Sequence, residues 1–179
     1  MTDLRYPIGK FQWVQPDTEA QRARDRERYI QTLFKLPIQM RAAVQDLDPD
    51  QLETPYRPEG WTVRQVVHHV PDSHMNAYIR TKLALTEEQP LIKPYDEAAW
   101  ARLTDNTITP IEISLQLLAA LHLRWVYVLE ATRPADFART FNHPERGVMT
   151  LDNMLALYAW HCEHHLAHIT SLRERMHWN

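Results

Sequence analysis

Only three glycines, Gly9, Gly60 and Gly147, are spread over 179 residues. A chain so poor in glycine is badly suited to a doubly wound nucleotide fold, whose phosphate turns need glycine at close backbone approaches. Twelve prolines stand against them. Proline lacks an N–H and clashes inside a helix, so these residues read as punctuation between helical segments. The expected architecture is all-α and a single domain over residues 1–179, because a chain of this length buries roughly 70% of its unfolded surface in one core.

Residues 1–16 show neither helical nor strand period and read as an extended arm. Thr18 and Gln21 have capping-box spacing, which starts a first helix over about 18–46 with Pro37 kinking or splitting it. Asp48-Pro49-Asp50-Gln51 reads as a cap and one short turn. Thr62 and Gln65 form a second capping box, with Trp61 and Val66 at the staple positions, and open a second helix to about residue 85. Pro71 predicts a kink or break near 67–71. Residues 86–110 read as a long loop, helical only over 96–103. Thr109 as cap, Pro110 at the first helical position and Glu112 open a third helix over about 110–131, burying Leu115, Leu118, Leu121, Trp125 and Leu129. Residues 132–149 read as a connection with a turn, and Thr150 caps a fourth helix. Four long helices with a crossover connection suit a bundle.

Charge and cysteine content narrow the partners. Lys plus Arg number 20 and Asp plus Glu 23, a net charge of -3, which argues against a phosphate backbone as ligand. No apolar run approaches the ~20 residues of a membrane span, and the N-terminus lacks a signal-peptide pattern. The reading is no nucleic acid, no membrane and a cytoplasmic location. The single cysteine, Cys162, excludes an internal disulfide or a Cys-rich zinc site.

Ten histidines remain as the place to seek chemistry. On the fourth helix, projected at about 100° per residue, Leu151, Met154, Leu155, Tyr158, Cys162, Ile169 and Leu172 share one face, while Asp152, Glu163, Thr170 and Glu174 point away. His161, His165 and His168 fall within the apolar stripe and His164 at its edge. One buried histidine is ordinarily a hydrogen-bonded core residue. Several on one arc cannot satisfy one another without further partners. A metal solves this, and His161 and His165 sit one turn apart on one side. The same segment, HCEHH, is not a zinc-peptidase motif, since Cys162 takes the place of the glutamate and Glu163 points outward. For a third ligand from the second helix, periodicity favours His74, in the apolar arc, over His69 at its margin. His69, Ser73, Asn76 and Arg80 nevertheless form a polar line beside the apolar one, fit either for a cavity wall or for a solvated face.

The segments GWTVRQVVHHVPDSHMNAYIR (60–80) and LYAWHCEHHLAHIT (157–170) resemble the DinB superfamily, specifically its YfiT-like branch. YPIGKF, KPYDEAAW and FNHP are weaker points of likeness. The resemblance implies a four-helix bundle with a crossover connection and an N-terminal arm. It also implies a divalent metal, zinc or nickel, held by His69, His161 and His165, so it selects His69 over His74. Pro71 departs from the family pattern. Members have been named metal-dependent hydrolases, and the YfiT-like branch resembles the bacillithiol S-transferases. The function expected first is therefore metal-dependent S-transfer from a small-molecule thiol to an electrophilic substrate, with Ser73, Asn76 and Arg80 binding substrate and Arg80 or Arg64 pairing with its carboxylates. Hydrolysis by a metal-activated water is the alternative, with Asp72 the nearest candidate base. A non-enzymatic, metal-stabilised stress-response module is the third. A homodimer is expected from the resemblance and from the apolar arm.

Overall fold

The computed structural model describes residues 3–178. Four long helices carry the fold: α1 (Glu19–Val44), α3 (Val63–Thr86), α6 (Ile111–Glu130) and α7 (Leu151–Met176). Between them lie the short helices α2 (Pro49–Leu52), α4 (Glu97–Trp100) and α5 (Asp105–Ile108), a 3-10 turn (Pro134–Ala138), and strands β1 (Thr140–His143) and β2 (Gly147–Thr150).

Packing order differs from chain order. α1 packs on α6 and α7, and α3 packs on the same two helices. The links from α1 to α3 and from α6 to α7 therefore both cross the bundle diagonal, giving two crossovers where the sequence suggested one. The core between the helices includes Leu33, Leu36, Met40, Val66, Leu118, Leu155 and the fully buried Trp125. The indole of Trp125 donates to Thr81 Oγ1 at 3.0 Å, which satisfies its one donor inside the apolar interior. The five residues expected to be buried on α6 are buried.

Local signals explain most boundaries. Thr62 accepts from the Gln65 amide while Gln65 reaches back to the Thr62 amide, a complete box at the start of α3. Asp48 and Gln51 do the same at α2, whereas at α1 only Thr18 takes part, accepting from Gln21 N. Thr150 accepts from Asn153 N at 3.1 Å and opens α7. The expected Thr109 cap is not formed. Pro110 is extended and occupies the cap position without a side-chain bond, and Glu112 instead holds Arg41 of α1 through two bonds of 2.6 and 2.9 Å. Asp152 does not point away either. It receives the Arg26 guanidinium in a fork of 2.6 and 2.7 Å that ties α1 to the first turn of α7.

Neither internal proline divides its helix. α1 runs unbroken through Pro37, and α3 through the buried Pro71. A proline at position 37 leaves the carbonyl of Leu33 without its helical donor. That carbonyl is taken by His122 Nδ1 of α6 at 2.6 Å, so a bond between helices replaces one within α1.

The connection over 132–149 holds more structure than a turn. Thr140–His143 pairs antiparallel with Gly147–Thr150, and alternate residues of β1 are buried. Gly147, at φ +73, closes the turn in the left-handed region that glycine adopts without a Cβ clash. Within 86–110 a second short helix, α5, follows α4.

Candidate metal centre

α3 and α7 pack side by side and bring three imidazoles together. One ring nitrogen from each of His69, His161 and His165 lies within 4.8 Å of the other two. His69 and His165 are buried and His161 is half-buried. The spacing of His161 and His165 places both on one side of α7, as the helical period requires. His69 meets them from the facing helix, with ring centroids 5.5 Å from His161 and 4.8 Å from His165.

His74 takes a different part. It is wholly buried, and its Nε2 lies 2.9 Å from His161 Nδ1 while its Nδ1 lies 2.7 Å from His122 Nε2. Both nitrogens are thus engaged with other histidines, and His74 stands behind the cluster. Periodicity favoured it because an apolar arc marks burial, and a residue that supports a ligand is buried more deeply than the ligand.

A second trio, His164, His165 and His168, also lies within 4.8 Å and is wholly buried. Here the nitrogens of His168 are committed: Nε2 is 3.2 Å from Arg5 O and Nδ1 is 3.3 Å from His165 Nδ1. His164 stacks on Trp160 at 4.3 Å, and its Nδ1 is buried without a partner. Of the two trios, His69, His161 and His165 suit a divalent ion, because each can turn an uncommitted nitrogen toward a common point.

Electrostatics support neutral rings. Burial first, and then the neighbouring histidines His164 and His168, hold His69 down at about 4. Burial likewise lowers His161 and His165 well below the ordinary histidine value. A neutral imidazole keeps the lone pair a metal needs. His122, His164 and His168 also lie at about 4, in each case chiefly through burial.

The cluster sits in the wall of a cavity of about 530 Å³, within the range of small-molecule sites. Ser73 and Arg80 line it and Asn76 does not. The Asn76 amide turns along its own helix and donates to Asp72 O at 2.9 Å. This corrects the cavity placement of Asn76, while the unbroken helix past Pro71 keeps Ser73 and Arg80 on the cavity side. Arg80 is 9% exposed and forms no ion pair among the described residues. Arg64 lies outside the cavity and is bound to Glu53. Asp72, raised to about 6 by burial and then by the charge of Asp105, does not line the cavity, so it is not placed as a base for a nucleophile there.

Several wall residues escaped the sequence reading. The hairpin contributes His143, Glu145 and Arg146, and the arm contributes Arg5 and Tyr6. The alternation of Thr140 and Asn142 with Phe141, ahead of a turn at Gly147, was the available signal for the hairpin. The arm carries no period because it folds as an irregular strap along α7, where Trp160 donates to Gly9 O at 3.2 Å. Tyr95 and Tyr158 also line the cavity, whereas Trp125 belongs to the core and Trp100 packs on Tyr95 with centroids 4.4 Å apart. Among the other histidines, His68 is buried against Ser114 Oγ at 2.7 Å, and His177 ends α7 in the left-handed region.

Fold and site together define a helical bundle built around a three-histidine centre able to hold a divalent metal. The DinB superfamily model matches residues 36–169. The chain belongs to the DinB superfamily. It is 55% identical over 178 residues, 99% of this chain and 100% of the relative, to a protein of Bacillus mycoides strain KBAB4 named "Putative metal-dependent hydrolase". A protein of the same name from Bacillus thuringiensis subsp. konkukian strain 97-27 is 54% identical over the same span. YfiT from Bacillus subtilis, described as a probable metal-dependent hydrolase with an unusual four-helix bundle topology, superposes with a TM-score of 0.92 at 47% identity, covering 98% of this chain and 99% of YfiT. TT2238, a four-helix bundle protein at 21% identity and TM-score 0.50, covers 86% of this chain and 99% of its own and shares the fold.

Proposed function

We propose that this protein is a metal-dependent S-transferase that takes an anionic low-molecular-weight thiol and joins its sulfur to an electrophilic carbon. The observation that carries this reading is the pairing, in one cavity, of three neutral imidazoles with a buried arginine, Arg80, that forms no direct ion pair among the described residues. A divalent ion, zinc or nickel, held by three neutral ligands retains its charge and an open position, and so favours the ionised form of a thiol or of water placed beside it.

The chain's own residues supply the rest. His69, His161 and His165 would hold the ion from one wall. Arg80 offers a planar fork to a carboxylate on the thiol, which fixes the sulfur relative to the histidines. Arg57 and Arg146 line the same cavity, beside Glu59, Glu97 and Glu145, and offer further contacts to an anionic group of the thiol. In the transfer the thiol loses its proton to solvent, sulfur forms the new C–S bond, and the leaving group departs with the bonding electrons. A cavity of about 530 Å³ accommodates both reactants.

Zinc- or nickel-loaded protein, incubated with an alkylating electrophile and either bacillithiol or glutathione, is expected to consume both reactants faster than the metal-free protein. No acceleration with any thiol sinks the reading. A hydrolase is the second reading, favoured by the names of the relatives. It predicts turnover of an ester or amide panel without thiol, abolished by chelation.

A further inference from the structure

Two backbone carbonyls touch the histidine cluster, and a carbonyl can only accept a hydrogen bond. His122 Nδ1 faces Leu33 O at 2.6 Å, so that nitrogen carries the proton and His122 Nε2 is left as an acceptor. His74 Nδ1, 2.7 Å from His122 Nε2, must therefore donate, which leaves His74 Nε2 to accept. His161 Nδ1, 2.9 Å from His74 Nε2, is then the donor of the last bond. The nitrogen remaining on His161 is a bare Nε2.

The second carbonyl acts on His165. His168 Nε2 lies 3.2 Å from Arg5 O and donates to it, so His168 Nδ1 accepts from His165 Nδ1 at 3.3 Å. His165 is left with a bare Nε2 as well. All five rings are neutral in this assignment, in keeping with their enclosure. An unconstrained histidine favours the opposite tautomer, with its proton on Nε2, so both residues are held against the ordinary preference. The anchor of the longer relay exists because Pro37 has no N–H to offer Leu33 O.

We propose that His74, His122 and His168 are positioning residues whose hydrogen bonds, ending on the carbonyls of Leu33 and Arg5, lock the protons of His161 and His165 on Nδ1. Both then present Nε2 lone pairs to the centre shared with His69. The purpose of this device rests on the metal-centre reading, but the proton positions follow from the hydrogen bonds alone. Ligand histidines are commonly oriented through their second nitrogen by a carboxylate or carbonyl. Here the α7 ligands reach a carbonyl through further histidines.

Two measurements test it on the full-length chain. Long-range proton–nitrogen correlation spectra of nitrogen-15-labelled protein, recorded with and without zinc, are expected to place the proton of His161 and His165 on Nδ1 in both states. A proton on Nε2 of either residue overturns the proposal. Zinc affinity is then compared for the wild type, His122→Phe, which breaks the relay far from the ion, and His122→Gln, which keeps one donor and one acceptor. Loss of a supporting residue of this kind costs about 10–100-fold in affinity, so the phenylalanine variant is expected to weaken by that factor and the glutamine variant to recover most of it. A phenylalanine variant as tight as the wild type, or a glutamine variant as weak as the phenylalanine one, overturns the relay. Absence of zinc and nickel binding by the wild type defeats the metal-centre reading, and the spectra still decide the relay.

Discussion

His165 belongs to two groups of three histidines, and the groups differ in what their ring nitrogens are already doing. His69, His161 and His165 keep an uncommitted nitrogen each, facing a cavity. In the trio of His164, His165 and His168, the nitrogens of His168 are both occupied by Arg5 O and His165. The two groups are equally compact, so proximity alone does not make a ligand set. The count of available lone pairs does.

The sharpest way to break this comparison is to remove members of each trio in turn. His69→Ala, His161→Ala and His165→Ala are each expected to lower metal occupancy, read by elemental analysis, by more than about 100-fold at limiting metal, since two imidazoles do not complete a closed site. His164→Ala is expected to retain the metal. Metal loss in His164→Ala with retention in His69→Ala inverts the assignment.

Acid should act on both groups together. His69, His122, His164 and His168 titrate at about 4 in the folded chain through burial, below the ~6.5 of an exposed histidine. Between those values the unfolded chain binds protons that the folded chain refuses, so stability falls as pH drops and is recovered above ~6.5. Each residue contributes on the order of 1 kcal/mol per pH unit across that window. Thermal unfolding of the metal-free protein should show Tm flat above neutrality and falling steeply from pH 6.5 toward 4. A Tm unchanged over that range means the rings are not buried as neutral groups.

Two substitutions on α3 then sharpen the cavity side of the contrast. Arg80→Ala should raise KM for a carboxylate-bearing thiol by about ten- to a hundred-fold, as expected for losing a charge-assisted bond of roughly 1.5–3 kcal/mol, with little change for an uncharged thiol. Equal effects on both thiols remove Arg80 from substrate binding. Asn76→Ala should change KM less than about two-fold, since its amide bonds only to its own helix and the half-buried side chain does not line the cavity.

Much of this was legible in the chain because helical period and capping are local. The face of α7 with Met154, Tyr158 and Cys162 is buried as its spacing requires, and the boxes at Thr62 and Asp48 form. What could not be read depends on distant partners. Asp152 was assigned to solvent because its pairing with Arg26 spans 126 positions. Pro37 and Pro71 were expected to kink or break their helices, but both helices run on without a break, and at Pro37 another helix takes up the carbonyl left without its donor. Asn76 shares the angular position of Ser73 and Arg80 on a helical projection, yet its amide finds a nearer acceptor behind it. The choice between His69 and His74 was beyond periodicity, since the cavity that makes His69 useful also makes it look marginal.

The double diagonal has a consequence for how the molecule is made. α1 packs chiefly on α6 and α7, and two of the three candidate ligands lie on α7, which follows every other helix in the chain. Contacts so remote in sequence close slowly, because the loop entropy must be spent before they form. A nascent chain that has released its first three long helices still has one imidazole of the three in place. Metal capture at this candidate centre would therefore be a late event in biogenesis, since no competent pocket exists until the final helix docks.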